Sequence, residues 1–226
     1  MTELSGSRVL VVGASGGLGA PIARALAAAG ATVILHGRDR GRLSAVGLPD
    51  AEVLIGDLRD PEVPAGLIAS AVAGGGLDGV VIASGVVAFG SALEITDDLV
   101  DELMAVNFTG PQQVIRAALG ALPAGGFLVS ISAIVAEMPT AGMSAYSASK
   151  AALSAFTVSA RIESRRRKIR VVDARPPHTE TGLATRPIAG SAPHLAAGLD
   201  PEAVADRIVG AITGDEVELP SSAFQD

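Results

Sequence analysis

Two residues that could move a proton stand close together in this chain. Tyr146 is its only tyrosine, and Lys150 follows four positions later. A free phenol ionises near pH 10, too high for it to work efficiently as a base at neutral pH. In a helix, side chains four apart share a face, and an ammonium beside a phenol favours the phenolate. Such a pair can give a proton to a carbonyl oxygen or take one from an alcohol. Taken alone, the spacing favours packing, an aromatic beside a snorkelling lysine on one helix face.

A second suggestive stretch is Gly13-Ala14-Ser15-Gly16-Gly17-Leu18-Gly19, directly after the apolar run Val9–Val12. Glycine lets a backbone turn sharply beside a pyrophosphate, and free N–H groups at a helix start bind its charge. Gly13, Ser15, Gly16, Gly17, Leu18 and Gly19 are the expected cradle of a dinucleotide. After the next apolar run comes His36-Gly37-Arg38-Asp39-Arg40. An acid at that strand end accepts from the ribose 2′-hydroxyl of NAD, whereas an arginine pairs with the 2′-phosphate of NADP. Gly37 offers no acid and Arg38 follows, so NADP(H) is expected ahead of NAD(H). Asp39 could instead pair with Arg38 or Arg40.

These groups need a scaffold, and the hydrophobic pattern supplies one. Val9–Val12, Thr32–Leu35, Val53–Ile55, Val80–Ile82, Phe127–Ile131 and Ile169–Val172 are short, β-branched and continuously apolar. Continuous rather than alternating runs indicate strands buried on both faces of a parallel sheet. Ala/Leu-rich segments of helical character separate them, as βαβ units require. The expected fold is α/β, a single-domain, Rossmann-like doubly wound parallel sheet with helices on both faces, spanning 1–226. Segment 176–199 carries Pro, Gly, Thr and His without a period and reads as a functional loop. Asp200-Pro201-Glu202 then starts a helix, with Asp200 as its cap, and Val217–Leu219 adds a short last strand. Ser144 is read as the cap of the helix carrying Tyr146.

Composition excludes several alternatives. With 17 Lys+Arg against 24 Asp+Glu the net charge is −7, and aromatics are 3%, so neither a basic footprint nor a base-stacking platform is present. At 49% hydrophobic the chain is too apolar to be disordered. It has no cysteine, and His36, His178 and His194 show no ligand spacing, so no metal site is expected. The uncharged stretch Ala117–Ala136 is broken by Gly120, Pro123, Gly125 and Gly126, and reads as a helix end, a turn and a buried strand. The start lacks the basic region of a signal peptide, so a soluble cytoplasmic protein is expected. The basic run Arg165–Lys168 complements the C-terminal dipole of the Tyr146 helix.

The Gly-x-x-x-Gly-x-Gly turn at 13–19 together with Tyr146-Ser147-Ala148-Ser149-Lys150 resembles the short-chain dehydrogenase/reductase family, over nearly the whole chain. The resemblance implies hydride transfer between a nicotinamide and a small-molecule carbonyl or secondary alcohol, with Tyr146 as general acid/base. It also implies a homodimer or homotetramer, and roles for Asn107, which interrupts its helix and links Lys150 to a water relay, and for a serine that holds the carbonyl. That serine stands about thirteen residues before the family tyrosine. Here thirteen back is Ala133, and Ser132 is taken instead, with one extra residue in the loop between. Asp57 and Leu58 resemble the pair beside the adenine ring, although Asp57 also suits a turn. Ser84 and Gly85 belong to a segment where the family has Asn-Asn-Ala-Gly and this chain Ile82-Ala83-Ser84-Gly85. Pro176 keeps its place while Pro177 replaces a glycine. Thr179 and Thr181 are candidates for the nicotinamide carboxamide, and His178 beside them is read as a packed loop histidine in preference to a second titrating group. The small residues of 176–199 favour an apolar, uncharged substrate, with Arg186 a possible partner for a carboxylate or phosphate. The altered Ile82–Gly85 segment keeps a second class open, a dinucleotide-binding sensor or regulator that turns over little. A nucleotide-sugar dehydratase or epimerase ranks last, since little chain follows 199.

Overall fold

The apolar run at the start of the chain is buried along its length because helices cover both of its faces. In the computed structural model, which describes residues 2–225, it forms β1 (Arg8–Val12). Val9 and Val11 face one hydrophobic cluster, whereas Leu10 and Val12 face another. The same alternation recurs in β2 (Thr32–Gly37), β4 (Gly79–Ile82), β5 (Phe127–Ile131) and β6 (Arg170–Ala174). Successive side chains point to opposite faces of a strand, so a strand between two helix layers must be apolar at every position.

Together with β3 (Glu52–Ile55) and the two-residue β7 (Glu218–Leu219), these strands form one parallel sheet ordered β3-β2-β1-β4-β5-β6-β7. The first face is covered by α1 (Gly19–Ala28) and α7 (Pro201–Thr213), through Ile22, Leu26, Val204 and Ile208. The second is covered by α3 (Val63–Ala73), α5 (Gly110–Ala121) and α6 (Ser144–Ser164), through Leu67, Ile115 and Leu153. This is the expected doubly wound fold. Met1 and Asp226, the outer ends of the expected 1–226 domain, lie outside the described residues.

Close packing explains a glycine in a strand. A Cβ on Gly79 would lie 2.1 Å from the ring of Phe127, its register partner on β5. The chain reverses direction of travel across the sheet between β1 and β4, and ligands of open α/β sheets bind beyond the strand ends at such a switch point.

Local expectations fare unevenly. Asp200 caps α7 by accepting from the Ala203 N–H at 3.1 Å, with Pro201 in the first turn. Ala117–Ala136 is a helix end, a turn, β5 and a short 3-10 turn at Ile134–Ala136. Ser144 does not cap α6. It is the helix's first residue, Met143 holds the cap position, and no side chain caps there, because the chain turns into the helix one residue earlier than a serine cap needs. The helical stretch before β5 is split into α4 (Asp97–Met104) and α5 by a π turn at Ala105–Thr109. No helix among the described residues is long and apolar enough to cross a membrane.

Candidate active site

A cavity of about 750 Å³ opens at the strand ends over the switch point. One end is built by the glycine turn between β1 and α1. Gly13 has φ +79°, and a Cβ there would meet the Ser84 backbone at 2.8 Å. A Cβ on Gly17 would come within 2.4 Å of Thr181, so the strap after β6 closes directly against the turn. The expected residues Gly13, Ser15, Gly16, Gly17, Leu18, Arg38, Asp57, Leu58, Ser84, Gly85, Ser132, Tyr146, Lys150, Pro176, Thr179 and Thr181 all line this one cavity. Gly19 and Asn107 stay behind its wall. Gly19 lies against the Gly13 carbonyl, where a Cβ would be 2.1 Å away, and Asn107 is fully buried.

At the glycine end, Asp39 caps α2 (Arg40–Ser44), accepting from the Arg42 N–H at 2.9 Å. It is therefore not the partner of Arg38 or Arg40. The exposed Arg38 guanidinium instead lies 3.7 Å from Asp57. Asp57 is held mainly by Arg59 at 2.6 Å, whose hydrogen bonds draw its carboxyl down to about 2. Asp57 thus makes the turn acid that its position also suited, accepting from the Arg59 N–H at 3.1 Å. Arg42 was not anticipated. It lines the same cavity wall as Arg38 and donates to the Ser15 carbonyl at 3.4 Å. Its signal in the sequence is the cap at Asp39, which sets residue 42 in the first turn beside Arg38.

His36 lines the cavity, 3% exposed, its imidazole packed beside the Gly56 backbone. Burial lowers its pKa from 6.5 to about 4. The unfolded chain therefore binds a proton there between those values while the folded chain does not, so stability falls as pH drops from 6.5 towards 4. The full shift corresponds to about 3 kcal/mol. Denaturant midpoints measured across that range should fall less steeply in His36→Gln than in the natural chain. Parallel curves for the two proteins would show that His36 is not the group responsible.

At the other end, α6 carries Tyr146 and Lys150 on one buried face, 7% and 4% exposed. Lys150 Nζ donates to the Ile131 carbonyl at 3.0 Å, and burial lowers its pKa to about 8. Burial raises that of Tyr146 above the ordinary phenol range. The expected effect of lysine on the phenol is thus outweighed in this structure by desolvation, because the ammonium is turned to the β5 carbonyl. Asn107 occupies the π turn as expected of a helix interruption. Its Oδ1 accepts from Val86 N–H at 2.9 Å, and its Nδ2 donates to the Val86 carbonyl at 2.9 Å and Ser149 Oγ at 3.0 Å. A Cβ on Gly85 would lie 3.2 Å from Lys150 Nζ and 3.3 Å from Asn107 Oδ1, so the two side chains converge on that glycine.

Ser132 lines the cavity just after β5, with its hydroxyl turned to β6. Its hydroxyl donates to Asp173 Oδ1 at 2.7 Å, and a second contact reaches the Ala174 carbonyl at 3.3 Å. Its proton is committed to β6, and Ala133 lines the cavity beside it. Thr179 donates to the Pro177 carbonyl at 3.0 Å, and Thr181 Oγ1 accepts from Leu183 N–H at 3.3 Å. Arg186 donates to the Gly182 and Thr181 carbonyls at 3.0 and 3.3 Å, which occupies its guanidinium with backbone. His178 lies 3.4 Å from Glu180. The 176–199 strap is pinned at both ends of its course. Leu199 pairs with His178 and Glu180, and Ile188 and Ala189 bond to Val87 and Phe89.

A parallel sheet with a glycine turn at its switch point and a buried Tyr–Lys pair opposite defines a dinucleotide-binding class of α/β protein. Residues 7–189 match the family model described as short chain dehydrogenase, and the chain belongs to the short-chain dehydrogenase/reductase family of oxidoreductases. It is 36% identical to an uncharacterized oxidoreductase of Methylorubrum extorquens, over 88% of this chain and 83% of that one. It is 32% identical to the cyclic-di-GMP-binding biofilm dispersal mediator protein of Escherichia coli K12, over 68% and 65%. Among solved structures, a short chain dehydrogenase of Burkholderia cenocepacia in complex with NADP superposes with TM-score 0.86 at 29% identity, covering 98% of this chain and 99% of that one. Fold and family together support a nicotinamide dinucleotide as cofactor.

Proposed function

We propose that this protein is an NADP(H)-dependent oxidoreductase that reduces a carbonyl, or oxidises the matching secondary alcohol, with Tyr146 exchanging the proton. The observation that carries this reading is the placement of the buried Tyr146–Lys150 pair at one end of a single cavity whose other end is the glycine turn flanked by Arg38 and Arg42. The site fits the dinucleotide on its own terms. Tight glycines leave the α1 N-terminus open to a pyrophosphate, two guanidiniums line the adenosine end, and the buried hydroxyl of Ser84 has no hydrogen-bond partner among the described residues. When bound, the reduced nicotinamide would supply hydride to the carbonyl carbon.

The chain's own residues do the rest. The buried Tyr146 phenol lines the cavity opposite the glycine turn, placed to give a proton to the carbonyl oxygen in reduction or to take it from the alcohol in the reverse direction. Asn107 fixes the Val86 wall, and Lys150 stands behind Gly85. The substrate end is walled by Val86, Val87, Phe89, Val135, Leu183 and Ile188, which exclude water and fit an apolar, uncharged substrate. Thr179, Thr181 and Pro176 are assigned to the nicotinamide side, and 176–199 to the wall over both ligands. A cytoplasmic homodimer or homotetramer is part of this reading.

NADPH consumption over a panel of ketones, aldehydes, quinones and acyl thioesters tests it, with NADH as comparison. Arg38→Ala combined with Arg42→Ala should raise the KM for NADPH about tenfold or more, since each loses a charge-assisted contact to the 2′-phosphate, and leave NADH nearly unchanged. Equal losses with both cofactors would reassign the arginines to general binding. A second reading, a nucleotide-binding regulator that turns over little, is favoured by Ser132's committed proton and by the name of the E. coli relative. Tight NADPH binding without turnover on any of the panel would support it.

A further inference from the structure

The Lys150 ammonium has a single hydrogen-bond acceptor, the Ile131 carbonyl, and almost no access to water. A buried cation is costly unless an opposite charge stands near it. Asp173, on β6 and 1% exposed, is placed to be that charge. Its Oδ1 accepts from Ser132 Oγ at 2.7 Å, and its Oδ2 from Ser154 Oγ at 2.5 Å and from Arg175 at 2.7 Å. Ser154 follows Lys150 by one helical turn on α6, so both turn the same way, towards the ends of β5 and β6.

Arg175 does not neutralise Asp173 alone. Its guanidinium also bonds to Glu137, and to Glu218 at 2.9 Å. One guanidinium shared by three carboxylates leaves the cluster negative, and Arg161, 3.6 Å from Glu218, offsets only part of it. The other groups around Lys150 carry no charge. They are neutral Tyr146 on its own helix, Asn107 from the π turn, and the Ile131 carbonyl and Ser132 from β5. Asp173 is the register partner of Ser130 on β5, one place from Ile131, whose carbonyl takes the Lys150 ammonium. Its carboxylate is thus the opposite charge on the strand next to that contact, in the direction that opposes the desolvation of Lys150.

We propose that Asp173 is a positioning residue for the Tyr146–Lys150 pair, its buried carboxylate supplying the countercharge that keeps the Lys150 ammonium protonated behind Tyr146. Ser132 and Ser154 hold that carboxylate from two sides, which gives Ser132 a role without contact to a substrate carbonyl. The consequence for turnover rests on the oxidoreductase reading above. The charge relation itself does not.

The chain contains two lysines, Lys150 and Lys168, so side-chain ¹⁵N NMR of the full lysine-labelled protein can follow each ammonium without cofactor or substrate. Asp173→Asn should lower the Lys150 titration midpoint by about one pH unit, as loss of a near opposite charge requires, and leave Lys168 in place. The alkaline limb of the kcat/KM profile should move down with it. Ser154→Ala, which removes a hydrogen bond but no charge, should leave the midpoint where it is. If Asp173→Asn does not fold, Arg175→Gln carries the test in the opposite sense, because removing the shared cation should move the Lys150 midpoint up. An unmoved midpoint in folded Asp173→Asn, or a downward shift in Arg175→Gln, overturns the proposal. Shifted midpoints in a protein without NADPH-dependent turnover would uphold the countercharge and sink the oxidoreductase reading alone.

Discussion

Tyr146→Phe should lower kcat about a thousandfold while leaving the fold and NADPH affinity close to those of the natural chain. A positioned general acid contributes roughly 10²–10⁴ in rate, and the substitution removes the acid and nothing else. The ring packs in the cluster with Val87, Phe89, Leu103 and Val135, and phenylalanine fills the same space. Among the described residues the phenol oxygen has no hydrogen-bond partner, so its loss strands no buried group. Thermal midpoint and NADPH titration should therefore report an unchanged protein, and steady-state rates a disabled one. Activity within tenfold of the natural chain would remove Tyr146 from the proton path. A fall in the thermal midpoint comparable to a core truncation would mean that the phenol is structural instead.

The largest expected effect on stability lies at Asn107→Ala. The side chain is fully buried and spans the Val86 peptide with one bond to its N–H and one to its carbonyl, while a third reaches Ser149. Truncation leaves the Val86 groups unpaired within the fold, at a cost of about 1–3 kcal/mol per stranded group. A total near 3 kcal/mol corresponds to a thermal midpoint roughly 10 °C lower for a chain of this size. The Val86 wall adjoins Gly85, on which Lys150 converges, so kcat should fall too. Asn107→Asp keeps the shape and the acceptor but loses the donor to the Val86 carbonyl and to Ser149 Oγ. It should be less costly in packing and still slow. An Asn107→Ala protein as stable as the natural one would show that the π turn does not depend on this residue.

The legible parts of the site were those held by local backbone chemistry. The glycine turn was readable because a sharp turn beside close backbone admits no side chain, and the residues that force it are contiguous. Tyr146 and Lys150 were readable because one helix sets both on one face. The less legible parts depend on residues distant in sequence. Arg42 joins Arg38 at the cavity wall only because Asp39 caps α2 instead of pairing with an arginine. Ser132 could be picked from spacing, but the direction of its proton is decided by Asp173, 41 residues later on the neighbouring strand. Nothing near Asp173 in the sequence marks it as more than one polar residue in an apolar strand.

The order of apolar runs, continuous rather than alternating along most of β1, β2, β4, β5 and β6, determined a parallel sheet between two helix layers, because only burial on both faces removes the need for alternation. The sequence likewise determined the glycine turn after β1 and the pairing of Tyr146 with Lys150 on one helix face. Tertiary structure alone decided the electrostatic state of that phenol and its lysine. Burial outweighs their mutual effect, and the countercharge arrives from β6, since charge and desolvation act through space and the sheet sets which distant groups become neighbours.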